Sequence, residues 1–338
     1  MDILQVGTAS ARRGERAFGA IKVAELNDGS PVEIPVGVLH GAKPGPVVWM
    51  QNGVHGMEYT GMGGIQRVLH GCDPREMAGS VVGIPMVNIM AYRYGTRGAP
   101  QDGLDMNRTY PGKPLDTAMH VFAHTELVLD QIFSEIKRVA DCVLDCHAGG
   151  WHAYMSPYAQ YATGMGGDDT YEQRCHELAV ATGMTLIWRT ESAFMEEKAP
   201  GSLKVWAAKL GIPGLTLEVG GEGKMVDPEV ARFHLALTNV LRHLEVIPGK
   251  PEIPGEQYEV IKGHWLRPST GGCLVVKARP LERVKKGQVI HIITDLLGRE
   301  RERLLAPVDG VVVGIRTHGK VNSGDFCGNI GLIAKRGA

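Results

Sequence analysis

Three short apolar runs in this chain break off into glycine. Pro46-Val47-Val48-Trp49-Met50 leads into Gln51-Asn52-Gly53-Val54-His55-Gly56-Met57-Glu58. Ala140–His147 stops at Ala148-Gly149-Gly150, and Gly214–Val219 stops at Gly220-Gly221. An apolar, β-branched run bounded by glycine reads as a buried strand entering a loop. Between these runs the spacing turns helical. Gly61 to Leu69 fits a short helix, and His120 to Lys137 places Leu129, Ile132, Phe133 and Ile136 on one stripe. Tyr171–Thr182 and Ser202–Leu210 read as helices stopped by Gly183 and Gly211. Asp227 as N-cap with Pro228 behind it opens a helix to about Leu244. Val81–Asn88 and Thr185–Trp188 read as further strands, with Pro85 marking an end or an edge. Strands alternating with helices predict an α/β fold, a mixed sheet flanked by helices on both faces.

The ends of the chain differ from its middle. Residues 1–45 are β-rich, with turn signals at Asn27-Asp28-Gly29 and Lys43-Pro44-Gly45. The long stretch from Ile89 to Lys113 shows no sustained period, as functional loops do. Three prolines and two glycines between Val246 and Gly255 mark a linker over 248–255. It divides a catalytic domain at 1–247 from a β-rich C-terminal domain at 256–338. The latter is similar to the small all-β barrels or sandwiches of biotinyl and lipoyl domains. Those carriers present a lysine at a hairpin tip. Here Arg299-Glu300-Arg301-Glu302-Arg303 stands before Ala306-Pro307, which argues against a modified carrier.

Composition narrows the function by exclusion. At 338 residues there is room for one large domain and a small one. A net charge of −1 gives no electrostatic case for nucleic acid or an anionic membrane. No apolar run approaches the roughly 20 residues that span a bilayer, and the first residues lack a secretory signal pattern. Six scattered cysteines without a Cys-x-x-Cys pair fit reduced thiols in a cytoplasmic protein. Cys146 adjoins His147, but neighbours on a strand face opposite sides, so it is a poor ligand candidate.

The chemistry collects at the glycine-rich strand ends, where open α/β sheets place ligands. His55 with Glu58 is weak by itself, since roughly one or two His-x-x-acid pairs arise by chance. His70-Gly71-Cys72-Asp73 is another such pair, with nothing around it. With His147 and Glu218 at two further strand ends, the set changes meaning. Two histidines and one carboxylate around an open position suit catalytic zinc. A further, unliganded glutamate suits the base that such a site needs.

Asn52–Glu58, Asp105-Met106-Asn107-Arg108, Asp145-Cys146-His147 and Leu217-Glu218-Val219-Gly220 together resemble, in order and spacing, the succinylglutamate desuccinylase/aspartoacylase family of the zinc carboxypeptidase superfamily. The resemblance covers about residues 40–335. It implies one zinc per chain on His55, Glu58 and His147, with Glu218 activating the zinc-bound water and protonating the leaving amine. It implies Arg97 at the scissile carbonyl, Asn107 and Arg108 on the substrate's α-carboxylate, and Asp105 behind His55. A guanidinium fork matches a carboxylate bidentately. The implied activity is deacylation of a small N-acyl amino acid or related carboxylate, in a chain that leaves room for a homo-oligomer. A zinc carboxypeptidase acting on short peptides is the alternative. Aspartoacylases also keep an arginine shortly before the catalytic glutamate, whereas Lys204–Pro213 holds lysines and no arginine. The residues after His147 look like an aromatic loop carrying Trp151, Tyr154, Tyr158 and Tyr161, which either wall the acyl pocket or serve packing.

Overall fold

The three apolar runs that break into glycine lie side by side in one twelve-stranded sheet. A computed structural model describes residues 2–117, 123–165, 169–191 and 200–334 of the protein. The first ten strands are β1 (Ile3–Val6), β2 (Ala9–Arg12), β3 (Glu15–Glu25), β4 (Pro31–His40), β5 (Lys43–Asn52), β6 (Ala78–Ile84), β7 (Cys142–His147), β8 (Ala153–Thr163), β9 (Leu186–Glu191) and β10 (Gly214–Gly221). Beyond the linker follow β11 (Tyr258–Leu266), β12 (Gly272–Val276), β13 (Arg283–Val284), β14 (Val289–Thr294), β15 (Glu300–Leu305), β16 (Gly310–Arg316), β17 (Lys320–Val321) and β18 (Gly328–Ile333).

The large sheet runs β13-β16-β18-β11-β9-β8-β10-β7-β5-β6-β4-β3, while β1 and β2 form a hairpin of their own. Strands β6, β5, β7 and β10 are mutually parallel, and β8 pairs with β10 antiparallel, so the sheet is mixed. This is the α/β architecture expected from the alternating pattern.

Alternation along the central strands divides the core into two layers. Val48, Met50, Leu144, Cys146, Leu215 and Leu217 pack under the helices Thr60–Gly71, Asp169–Ala181 and Asp227–His243. The first and last of these approach closely because Gly64 lacks a Cβ, which would sit 2.7 Å from Phe233 Cβ. Trp49 and Val143 face the other way. There they meet Leu129, Ile132, Phe133 and Ile136, the stripe that the sequence predicts for the helix His124–Val139. Burying each such side chain contributes about 1.5–3 kcal/mol. The predicted start of that helix at His120 lies outside the described residues.

Some local expectations are corrected. Of the two readings of Pro85 the first holds: it follows β6, which lies between β4 and β5, and so ends an interior strand. Asp227 is not the N-cap; Val226 is. The Asp227 carboxylate instead pairs with Arg67 at 2.7 Å. The aromatic loop is for the most part strand β8, because its aromatic and small residues alternate well enough to pair with β9 and β10. Its rings therefore separate. Tyr161 is buried in the helix-covered layer, and Tyr158 points to the opposite face.

After the linker no helix occurs among the described residues. β11, β13, β16 and β18 continue the large sheet, and β12, β14, β15 and β17 make a second, four-stranded one. β16 also pairs directly with β8, through Gly314–Met155 and Ile315–Tyr154. No described helix is long and apolar enough to cross a membrane.

Candidate metal centre and active site

The loop after β5 owes its shape to two asparagines and a glycine. Asn52 Nδ2 donates to the carbonyls of Glu58 and Pro85, and Asn88 Nδ2 to that of Val54. Gly56 lies so close to the next element that a Cβ would sit 2.1 Å from the Ala91 carbonyl carbon. The loop therefore turns His55 and Glu58 inward, where both are buried. β7 brings His147 beside them, and the register of β10 sets Glu218 directly against His147.

His55, Glu58 and His147 each offer a ligand atom, all within 4.8 Å of one another. Glu58 lies between the two rings, Oε1 2.7 Å from His55 Nδ1 and Oε2 3.1 Å from His147 Nδ1. The backbone N–H of Ala148 also donates to Oε2. The far nitrogens of both histidines face carboxylates. His55 Nε2 is 3.1 Å from Asp105, and His147 Nε2 is 3.1 Å from Asp145. A carboxylate behind each imidazole fixes its tautomer and ring orientation, the usual support of a metal-binding histidine. The donor set therefore fits zinc: two imidazoles, one carboxylate, both rings braced.

The electrostatics follow from burial and these neighbours. Burial alone would raise Glu58, but the two histidines outweigh it and hold the carboxyl well below its usual range. Burial would lower His147, yet Asp145 and Glu58 raise it well above an ordinary imidazole. Glu218 goes the other way. Burial, reinforced by the charge on Glu58, pushes it up to about 7 against the opposing pull of His147 and Tyr158. Its Oε2 is out of solvent and has no hydrogen-bond partner. A carboxylate of raised basicity with a free oxygen beside three ligand-type groups suits proton transfer.

The remaining predicted residues lie on the long loop. Asp105 bridges His55 and Arg97, whose Nε and Nη2 approach it at 3.1 and 3.0 Å. The His55, Arg97 and Arg108 charges keep its carboxyl far below the usual range despite burial. Arg97 thus reaches the histidine through Asp105 and does not touch Glu58 or His147. Arg108 is exposed and donates to the Asn107 carbonyl, and the Asn107 side chain is half-buried.

Sequence reasoning did not assign four side chains that the fold adds. Asp145 is two residues before His147, so strand alternation alone places both on one face. Gln51 lies opposite Asp145 in the β5–β7 register. Its Nε2 donates to Asp145 at 3.0 Å and to the Tyr110 hydroxyl at 2.8 Å, while Trp49 Nε1 donates to its Oε1. Tyr158 lies opposite Glu218 and faces its carboxylate. Lys204, the first residue of the stretch that lacks an arginine, is buried and donates to Gln160 Oε1, a contact that the sequence did not indicate.

Gln51 carries a prediction. Gln51→Leu strands the buried Trp49 donor, the Tyr110 hydroxyl and one Asp145 oxygen, at about 1–3 kcal/mol each. Denaturant unfolding should show a loss of at least about 3 kcal/mol in total. A loss below about 1 kcal/mol would mean that the glutamine is not needed to brace Asp145.

Comparison with known proteins places this geometry in context. The sequence model of the succinylglutamate desuccinylase/aspartoacylase catalytic domain matches residues 44–244. The N-alpha-acetyl-L-2,4-diaminobutyric acid deacetylase of Halomonas elongata is 27% identical over 326 residues, 94% of this chain and 91% of that one. A succinylglutamate desuccinylase/aspartoacylase structure from Rhodobacter sphaeroides superposes with a TM-score of 0.82 at 25% identity, covering 94% and 96% of the two chains. The product-bound ectoine utilization protein EutE (DoeB) from Ruegeria pomeroyi gives 0.83 at 22% identity, covering 94% and 95%. At that identity the likeness concerns the fold.

Proposed function

The chain belongs to the succinylglutamate desuccinylase/aspartoacylase family, and from that premise we propose that it is a zinc-dependent amidohydrolase that deacylates a small N-acyl amino acid or a related carboxylate. The observation that carries the reading is the buried His55–Glu58–His147 cluster with the unpartnered Glu218 oxygen beside it. The deacetylase from Halomonas elongata supports amide cleavage as the reaction class.

In this reading His55, Glu58 and His147 hold one zinc ion, with Asp105 and Asp145 orienting the two imidazoles. Zinc, when bound, supplies a Lewis acid that polarises the amide carbonyl and acidifies water. Glu218 takes the proton of the attacking water and passes it to the departing amine nitrogen. Arg97, with one terminal nitrogen not engaged by Asp105, stabilises the developing oxyanion. Asn107 and Arg108 hold the substrate's α-carboxylate. Residues 1–247 form the catalytic unit, and residues 256–338 form a β-rich, biotinyl/lipoyl-like unit; the β8–β16 pairing supports its place beside the site. The enzyme works in the cytoplasm on a small molecule.

The test is a panel of N-acetyl, N-succinyl and longer N-acyl amino acids with zinc-loaded protein, scoring free amine. Turnover of at least one member is expected, and chelation should abolish it. Release of C-terminal residues from short peptides alone would instead make it a carboxypeptidase.

A further inference from the structure

Five strands of the large sheet close on themselves. β8 pairs with β9, β9 with β11, β11 with β18 and β18 with β16, and β16 returns to β8. Two of these strands precede the linker and three follow it, so both units build the ring. β8 carries one extra residue between Met155 and Tyr158, a bulge where it passes from β10 to β16. The buried Ser156 hydroxyl fastens that bend. It donates to the Val312 carbonyl at 2.8 Å and accepts the Leu281 N–H at 3.0 Å.

The side chain that the ring encloses next to the bulge is Tyr158. It shares a buried cluster with Leu186 and Trp188 of β9 and with Val260, Val311 and Val313 from beyond the linker. The Trp188 ring meets it at 5.4 Å, tilted by 69°. A phenolic oxygen lies on the axis of its ring, so packing that fixes the ring fixes the oxygen too. Glu218 stands opposite Tyr158 in the β10–β8 register, and residues so paired share a face. The Tyr158 hydroxyl hydrogen-bonds the Glu218 carboxylate. Burial and the charges on Glu218 and Glu58 push the phenol well above its ordinary range, so it keeps its proton and stays a donor. Glu218 Oε2 has no hydrogen-bond partner. The carboxylate is therefore held at one oxygen and free at the other. Without that hold its terminal torsion is broad, and the two oxygens exchange places.

We propose that Tyr158 is a positioning residue for the base: it holds one Glu218 oxygen so that the free one keeps its aim at the reacting water. The strands after the linker hold Tyr158 in turn, and through it they contribute to turnover. The kinetic part rests on the deacylase reading above, whereas the contact itself does not.

Tyr158→Phe keeps the ring and removes only the hydroxyl. In zinc-loaded protein, with an N-acyl amino acid that the wild type cleaves, kcat should fall about 10–100-fold, the weight of one hydrogen bond to a charged group. KM should stay within about threefold, since no contact to substrate is lost. In a Glu218→Gln background the same substitution should change the residual turnover less than about twofold, because the group it positions no longer acts as a base. A tyrosine that only packs would slow both backgrounds alike. An unchanged kcat, an equal loss in both backgrounds or an effect confined to KM overturns the proposal. Crystal structures of wild type and Tyr158→Phe supply a readout without turnover. The Glu218 carboxylate should be rotated or split between two orientations in the variant, and a single orientation identical to wild type overturns the proposal as well. If the carboxylate moves but no panel member is cleaved by wild type, the deacylase reading fails and the Tyr158 contact stands.

Discussion

Glu218→Gln should bind zinc like the wild type and lose roughly 10²–10⁴-fold in turnover, the usual contribution of a positioned general base. The substitution keeps the volume of the side chain and removes only its ability to accept a proton. The raised basicity of Glu218 comes from burial and from the neighbouring Glu58 charge, and both persist around an amide. Such a base works when ionised, so wild-type turnover should fall as pH drops below the Glu218 pKa. That value is about 7 without metal, and a nearby divalent cation would lower it. In Glu218→Gln this acid limb should vanish from whatever turnover remains. Elemental analysis and a pH–rate series check both parts. Near-wild-type turnover with metal retained would remove Glu218 from the mechanism.

His147→Ala should lose its metal and a substantial part of its stability. The imidazole faces Glu58 with one nitrogen and Asp145 with the other, and all three groups are buried. Taking away the middle partner removes the cation between two buried carboxylates, leaving Glu58 to His55 and the Ala148 N–H and Asp145 to Gln51, at about 3–5 kcal/mol by analogy with broken buried ion pairs. Metal affinity should fall further than the roughly 10–100-fold seen when only an outer partner is lost. Zinc content at one per chain in purified His147→Ala would remove His147 from the ligand set. pH gives a second check. Despite burial, Asp145 and Glu58 favour the protonated imidazole, and a ligand must bind metal deprotonated. Zinc uptake by wild type should therefore release protons and weaken as pH falls.

Much of this was readable before any coordinates. The strand-into-glycine pattern at Met50, Cys146 and Val219 located three strand ends, and the stripe Leu129–Ile136 located a packed helix. Both signals are local, because side-chain direction repeats every 2 or 3.6 residues. The misjudged places were those where tertiary contacts compete with local preference. Asp227 had the right chemistry for a cap but pairs with Arg67 across to another helix. The tyrosines after His147 looked like a loop until β9 and β10 paired on either side of them.

By its residues the sequence determined which groups stand at the strand ends, and by the order of its four motifs it determined the family. Through that resemblance it also separated the two glutamates, Glu58 with the histidines and Glu218 as the base. It did not indicate that Asp145 and Gln51 brace His147, or that Lys204 is buried against Gln160. Those facts join residues 51, 145, 147, 160 and 204, whose proximity depends on strand order and register, and these are settled only when the whole sheet assembles. Local periodicity dictates which way a side chain points from its own strand. Only the neighbouring strand decides what it meets there.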